Sequence, residues 1–414
     1  MSQEVSGPPS SSRTGPPGGA AGWGLPLVLS GTMFVDALEV SLVLVALPEI
    51  QSSFGLSRAV AAWVLAGFPL GFAILLTAGR PVVRRFGLRR TYLGALLLFA
   101  LAVIVGGAAP HPAVLVGAEA VKGACAALTA PAGLTILSAA TADGRRGRAA
   151  ALVYSVAGSA GAAAGMLASG ALAGTSWRLT LALPLPVVLA LAVGGHLVIP
   201  RGSGRHGLPE VAAVKLRLTA PLLRACAGAA ALNGSALGFL MLVNFQMQGR
   251  LGWSSLHAAL VCAPAYATLM LSVLIAKRLI GRWGTARPVF AGSLVSTLVY
   301  ALYLWRPEPG GWGLGVLLAS LGIGIAYLSS FAALNVAAAR ETEGGHPAAK
   351  SLLQTSVQAS SVICPPLVAA LPSGGAHPYG LLLVVGVSAA GLAVAGAATA
   401  KEATAGEARG GRAA

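Results

Sequence analysis

Residues 25–48 read LPLVLSGTMFVDALEVSLVLVALP. A membrane-spanning helix needs about 20 mostly apolar residues, and this stretch supplies them while carrying two acids, Asp36 and Glu39. Stretches of the same kind recur near 60–79, 91–109, 113–139, 149–172, 177–199, 220–246, 256–276, 288–305, 312–338, 350–371 and 378–399, twelve in all. The Pro-bearing segments at 177–199 and 350–371 are expected to kink, because proline removes a helix N–H and crowds the preceding turn.

Composition agrees. Of 414 residues, 56% are hydrophobic and only 10% are charged. A soluble chain of this size carries roughly a quarter of its residues charged, so most of this surface must meet something other than water. That excludes a soluble enzyme and an ordinary nucleic-acid binder, although the formal charge is +16. The placement of the basic residues accounts for that charge. With the N-terminus inside, 22 of the 28 Lys and Arg fall in inner segments, and only Arg58, Arg178, Arg250 and Arg306 fall in outer ones. Such a bias marks cytoplasmic loops, an even number of spans and two cytoplasmic termini. The inner loops also suit anionic lipid heads.

Residues 1–23, rich in Pro, Gly and Ser, read as a disordered cytoplasmic tail rather than a signal peptide. Cys125, Cys226, Cys262 and Cys364 sit in apolar stretches without CxxC spacing, and the six histidines are scattered. Neither a disulfide framework nor a metal site is expected, and no cofactor.

A shift of 197 residues superposes Gly55-Leu56-Ser57 on Gly252-Trp253-Ser254, Ala61-Ala62 on Ala258-Ala259, Arg80 on Lys277, Arg85 on Arg282, Gly87 on Gly284 and Arg90 on Arg287. One offset held across a span and both its flanking loops implies two six-span halves, 24–199 and 219–400. A polar, Gly-rich cytoplasmic linker at 200–218 would join them, and 401–414 would form a cytoplasmic tail. Parallel repeats of this kind place a substrate site between the halves, near mid-membrane.

With these features in place, the chain resembles the major facilitator superfamily, and within it the drug:proton antiporter branch that usually has fourteen spans. The first span carries Leu38-Glu39-Val40-Ser41-Leu42-Val43-Leu44-Val45-Ala46-Leu47-Pro48, where the branch has Leu-Asp-x-Thr-(apolar)-Val-Asn-Val-Ala-Leu-Pro. Trp63 fits the second span, and Lys122-Gly123 through Pro131-Ala132-Gly133-Leu134 fits the fourth. In the fifth span, Gly158, Gly161, Gly165 and Gly170, followed by Ser176-Trp177-Arg178 and Pro186, match the Gly-rich antiporter motif. Gln248-x-x-Leu251-Gly252-Trp253-Ser254 matches a second-half motif. The two extra central spans are missing, and the resemblance covers roughly residues 25–400. It implies an all-α polytopic membrane protein, with twelve transmembrane helices in two pseudo-symmetric six-helix bundles.

Departures from the pattern matter as much. The loop between spans two and three normally supplies an aspartate that latches the inner gate. Here it reads Arg80-Pro81-Val82-Val83-Arg84-Arg85-Phe86-Gly87-Leu88-Arg89-Arg90, with Arg84 in the acidic slot, and the second copy has Gly281 there. Arg80, Arg84, Arg85, Gly87, Arg89 and Arg90 are therefore the candidate gating loop, without the usual carboxylate latch. The fourth-span Arg and Gln fall on Glu119 and Lys122, and the usual Gly-Pro step of the fifth span is Gly165-Met166.

Four charges lie deep in the spans: Asp36, Glu39, Glu119 and Lys122. Each costs at least about 2.5–3.5 kcal/mol at the bilayer centre, so such residues face a wet cavity or one another. Each pair is three residues apart, hence on one helix face. At 1.5 Å per residue, Glu39 and Lys122 lie at the same depth, about 14 Å from the outer boundary. A Lys122–Glu39 pair is expected, with Asp36 or Glu119 left to exchange a proton; a static salt bridge with no transport role is the rival reading. In the second half the polar residues are neutral. Asn233, Asn244, Gln246, Tyr327, Asn335, Gln354 and Gln358 are candidates to line a substrate site; the alternative for each is a bond between helices worth about 0.6 kcal/mol.

These features point to a secondary active transporter in the plasma (bacterial inner) membrane, with both termini cytoplasmic. It would exchange protons against an amphipathic organic molecule such as a drug or natural product, a role tied to multidrug efflux and antibiotic resistance. Export rather than import comes from the resemblance alone. Its partners would be that substrate, protons and the lipid bilayer, with no nucleic acid, and it would act as a monomer. A facilitator or importer of a small metabolite, or a relative that no longer transports, are the alternatives. A membrane-embedded enzyme would need a converging nucleophile, base or metal cluster, which the sequence does not supply.

Overall fold

A computed structural model describes residues 23–140, 144–199, 218–305, 314–340, 347–372 and 379–410. The linker expected at 200–218, except for its last residue, and the N-terminal tail up to residue 22 lie outside the described residues. Among the described residues there is helix and no strand. The helices are α1 (Gly24–Phe54), α2 (Arg58–Ala78), α3 (Arg80–Phe86), α4 (Leu88–Gly107), α5 (Pro112–Ala140), α6 (Gly144–Ala173), α7 (Trp177–Ala182), α8 (Pro184–Val198), α9 (Ala220–Asn244), α10 (Ser255–Trp283), α11 (Ala286–Trp305), α12 (Leu314–Arg340), α13 (Pro347–Ala370) and α14 (Tyr379–Gly410).

By length and composition, ten helical stretches among the described residues can cross a membrane. The other two expected spans are α10 and α13, with 29 and 24 residues, long enough at 1.5 Å per residue. The sixth span breaks at Leu183 into α7 and α8, and α8 begins on Pro184, where a missing N–H costs nothing. By contrast, α13 runs as one helix through Pro365 and Pro366. The last helix continues to Gly410, eleven residues past the expected end of its span at 399.

The repeat reappears as backbone geometry. Among the described residues, four glycines have positive φ: Gly55 (62°), Gly87 (79°), Gly252 (68°) and Gly284 (72°). They form two pairs, and each pair is 197 residues apart. Any other residue at these sites would carry a Cβ strain of roughly 1 kcal/mol or more. The same offset relates two helix starts: Ser57 Oγ accepts from the Val60 N–H and Ser254 Oγ from the His257 N–H, both at 3.3 Å.

Within the first half, α1 packs on α6 and α2 on α5. Glycines set the closeness: a Cβ on Gly161 or Gly165 would run into the carbonyls of Phe34 or Leu38, and one on Gly71 or Gly123 into those of Ala120 or Phe68. Such small-residue faces let backbones approach where no hydrophobic drive between helices exists. Across the halves, α2 packs on α13 and α6 on α10. At the face opposite the basic loops, one apolar cluster joins the halves, running from Val43–Ile50 through Phe239–Met247 to Ala258–Cys262. Toward the basic loops there are two clusters, one wholly in each half.

Candidate functional site

Three of the four intramembrane charges meet. Lys122 Nζ lies 2.7 Å from Glu39 Oε2 and 2.7 Å from Glu119 Oε1. The set is dry: Glu39 is 0% exposed, Glu119 0% and Lys122 1%. Glu39 comes from α1, and the other two come from successive turns of α5, three residues apart on one face. Gly67 of α2 makes room for them, since a Cβ there would stand 2.8 Å from the Glu119 Cβ. Glu119, which the sequence left as a possible free acid, is thus held by the lysine. Two carboxylates share one ammonium, and Glu39 Oε1 and Glu119 Oε2 have no hydrogen-bond partner among the described residues.

Asp36 stands apart from this triad, one turn along α1 toward the basic loops. Its Oδ2 is buried and has no hydrogen-bond partner among the described residues. Tyr92, Tyr154 and Cys125 lie close enough to feel its charge. Both phenols are already engaged: Tyr92 donates to Thr32 Oγ1 at 3.2 Å and Tyr154 to the Ala130 carbonyl at 3.0 Å. A half-buried carboxyl whose neighbouring phenols are spent elsewhere is a group able to gain and lose a proton.

The second half presents amides and hydroxyls. Asn233 Nδ2 donates to the Val357 carbonyl (3.1 Å), Ser360 Oγ (3.3 Å) and Ser361 Oγ (2.6 Å), and Asn233 Oδ1 accepts from the Tyr327 hydroxyl (2.8 Å). Asn233 and Tyr327 therefore join α9, α12 and α13. Asn244 donates to the Leu240 carbonyl and Asn335 to the Phe331 carbonyl, each within its own helix, while Gln246 accepts from Tyr303. Gln354 and Gln358, one turn apart on α13 and half-buried, make no hydrogen bond to another described residue. They are the candidate substrate ligands whose hydrogen bonds remain unspent.

The candidate gating loop separates into two kinds of residue. Arg84, Arg85 and Arg90 are exposed, with the Arg85 guanidinium 5.6 Å from the Phe86 ring centre. Arg89 instead caps a helix: Nε donates to the Ile199 carbonyl (2.9 Å) and Nη2 to the His196 carbonyl (2.8 Å) at the end of α8. Gly87 supplies the left-handed break between α3 and α4; the Arg80 side chain lies outside the described set.

Two features had no counterpart in the candidate residues. Arg178 donates to the Gly107 and Ala109 carbonyls at the end of α4 and lies 4.3 Å over the Trp177 ring. Trp177 in turn donates through its N–H to Glu49 and through its indole to Ser53. The Trp-Arg dipeptide was visible, but its carbonyl partners lie about 70 residues away. The other feature is a π-helical turn, Phe245–Arg250, that ends α9; no residue pattern announces it. Among the described residues, no group of three or more His, Cys, Asp or Glu could hold a metal ion.

Comparison with known proteins fits this architecture. The chain is 38% identical over 214 residues to a puromycin resistance protein of Streptomyces alboniger, covering 51% of this chain and 40% of that one. It is 36% identical over 201 residues to a cephamycin export protein of Amycolatopsis lactamdurans, covering 47% and 41%. The alignments thus span about two fifths of these relatives' own lengths. Among solved structures, the nucleoside transporter NupG superposes with a TM-score of 0.73 at 12% identity, covering 91% of this chain and 99% of that one. A bacterial homologue of the human lysosomal transporter Spinster gives 0.68 at 17% identity, covering 90% and 94%. The family model of the Major Facilitator Superfamily matches residues 29–365, and with its apolar helices, 197-residue repeat and paired bundles, the chain belongs to that superfamily.

Proposed function

We propose that this protein is a secondary active transporter that exports an amphipathic organic compound in exchange for protons by alternating access. The carrying observation is Asp36, a half-buried carboxyl whose buried Oδ2 finds no hydrogen-bond partner among the described residues, one turn from a triad that already holds its own lysine. In this reading Asp36 takes and releases the proton. Glu39, Glu119 and Lys122 tie α1 to α5 and surround Asp36 with a fixed field. Gln354 and Gln358 hydrogen-bond the substrate from the opposite half.

Residues 24–199 and 219–400 act as the two moving bodies, linked through 200–218 and flanked by tails at 1–23 and 401–414. The basic loops and both termini face the cytoplasm of a plasma membrane, and the monomer is the working unit. Relatives named for puromycin resistance and cephamycin export support the export direction and the kind of cargo. Cargo would bind without chemical change, as the membership of a transporter superfamily supports.

The test uses everted vesicles carrying the full chain, with puromycin as the probe. Uptake is expected when the lumen is acidified and is expected to vanish on adding a protonophore. Asp36→Asn should abolish the gradient-driven component and leave downhill puromycin exchange intact. Gradient-driven uptake at the unmodified rate in Asp36→Asn would remove Asp36 from the mechanism. Puromycin exchange unaffected by a gradient in the unmodified protein would make it a facilitator.

A further inference from the structure

The face opposite the basic loops holds a side-chain node that the proton and substrate residues do not use. Gln248 sits in the π-helical turn after α9. Its Nε2 donates to the Val45 carbonyl of α1 at 3.0 Å, across the two halves, and to Asn244 Oδ1 at 3.1 Å. Its Oε1 accepts from Ser255 Oγ at 2.9 Å, at the start of α10. With both ends of the amide engaged, Gln248 has little left to offer a ligand. Its bonds instead join three helices from two halves.

The surroundings make this joint a closure. Pro48 of α1 has no N–H to give the Leu44 carbonyl, so the ladder of α1 is interrupted beside the carbonyl that Gln248 grips. The Arg58 guanidinium, at the start of α2, lies 5.9 Å from the ring centre of Phe245 in the same π turn. On the far side of Ser255, α10 meets α6 at Gly170, where a Cβ would stand 2.6 Å from the Ala259 Cβ and 3.1 Å from the Ser255 carbonyl. Since α6 also packs on α1, a closed ring runs α1–Gln248–α10–α6. π turns cost backbone regularity and recur at functional sites.

We propose that Gln248 is a latch that holds the face opposite the basic loops shut, through its bond to the Val45 carbonyl, and that releasing it opens that face. The latch rests on the alternating-access reading, but its bonds involve no formal charge, so its release needs no proton. It is a positioning residue and touches neither substrate nor proton.

The experiment measures conformation without transport. The full-length protein, with its four buried cysteines replaced by alanine, is purified in detergent carrying either Ala259→Cys at the closed face or Gln354→Cys toward the basic loops. The rate of maleimide labelling is read in the absence of substrate and of a gradient. Gln248→Leu removes all three bonds of the side chain and keeps the bulk; it should speed labelling at 259 about five-fold, given the modest net worth of each neutral hydrogen bond, and slow it at 354. Ser255→Ala removes only the accepted bond and should give about two-fold in the same directions.

Unchanged labelling at 259, or faster labelling at both sites, overturns the latch. If Gln248→Leu is not monodisperse on gel filtration, Ser255→Ala decides alone. A chain that fails to move puromycin can still show the reciprocal labelling, so failure of the transport reading and failure of the latch are told apart.

Discussion

The two halves share a backbone plan and differ in chemistry. Left-handed glycines and serine caps recur 197 residues apart, yet the first half buries two carboxyls and a lysine beside a half-buried third acid, Asp36, while the second ties its helices through Asn233, Tyr327 and serine hydroxyls. A repeat constrains where helices begin, turn and touch. It leaves open which side chains fill the middle, because a bundle interior accepts either a balanced ion set or neutral hydrogen bonds. Charge in one half and amides in the other is the division of labour that proton exchange against an organic molecule would use.

The largest effect should come from unbalancing the charged half. Lys122→Ala leaves two buried carboxylates facing one another, and breaking such a set costs about 3–5 kcal/mol. Loss of monodisperse protein, or a sharply lowered melting temperature in detergent, is the expected result. The triple change Glu39→Gln, Glu119→Gln, Lys122→Met should recover most of that stability. If it does, the charges are kept for function; a triple variant as unstable as Lys122→Ala would make them a structural lock. The neutral half should respond more mildly. Asn233→Leu removes the two amide N–H groups shared among Val357, Ser360 and Ser361 and orphans the Tyr327 hydroxyl, for about 1–2 kcal/mol given the modest worth of each bond between membrane helices.

How much of this could be read in advance depends on whether a feature is local in the chain. Spans were legible because apolar length is local, and the repeat because one offset preserved glycines whose conformation no other residue adopts cheaply. Glu39 and Lys122 could be set at one depth because helix rise is fixed. Their second partner, Glu119, lies on the same helix, and only side-chain geometry decides that it reaches the lysine. Gln248 was visible as part of a motif, but its partner is a backbone carbonyl 203 residues away, and a carbonyl leaves no mark in the sequence. The candidate substrate residues were separated on the same ground, with hydrogen bonds already holding Asn233, Asn244, Gln246, Tyr327 and Asn335 and leaving Gln354 and Gln358.

The smallest effects concern how each half keeps its outer helices together. In the first half, Arg89 at the start of α4 caps the end of α8, and Arg178 at the start of α7 caps the end of α4. Two antiparallel spans are thus clamped reciprocally, with one cation on each helix C-terminus. In the second half, the corresponding α11 and α14 are joined within the membrane by Ser296 and Thr297 to Ser388, at 3.1 and 2.9 Å. A cation at a helix C-terminus is worth about 0.3–1 kcal/mol, so Arg89→Gln and Arg178→Gln should each lower thermal stability only slightly. Because the clamps sit at opposite ends and share no partner, the double variant should equal the sum within about 0.5 kcal/mol. An excess loss in the double variant would show that α4 and α7–α8 come apart as a unit once both ends are freed.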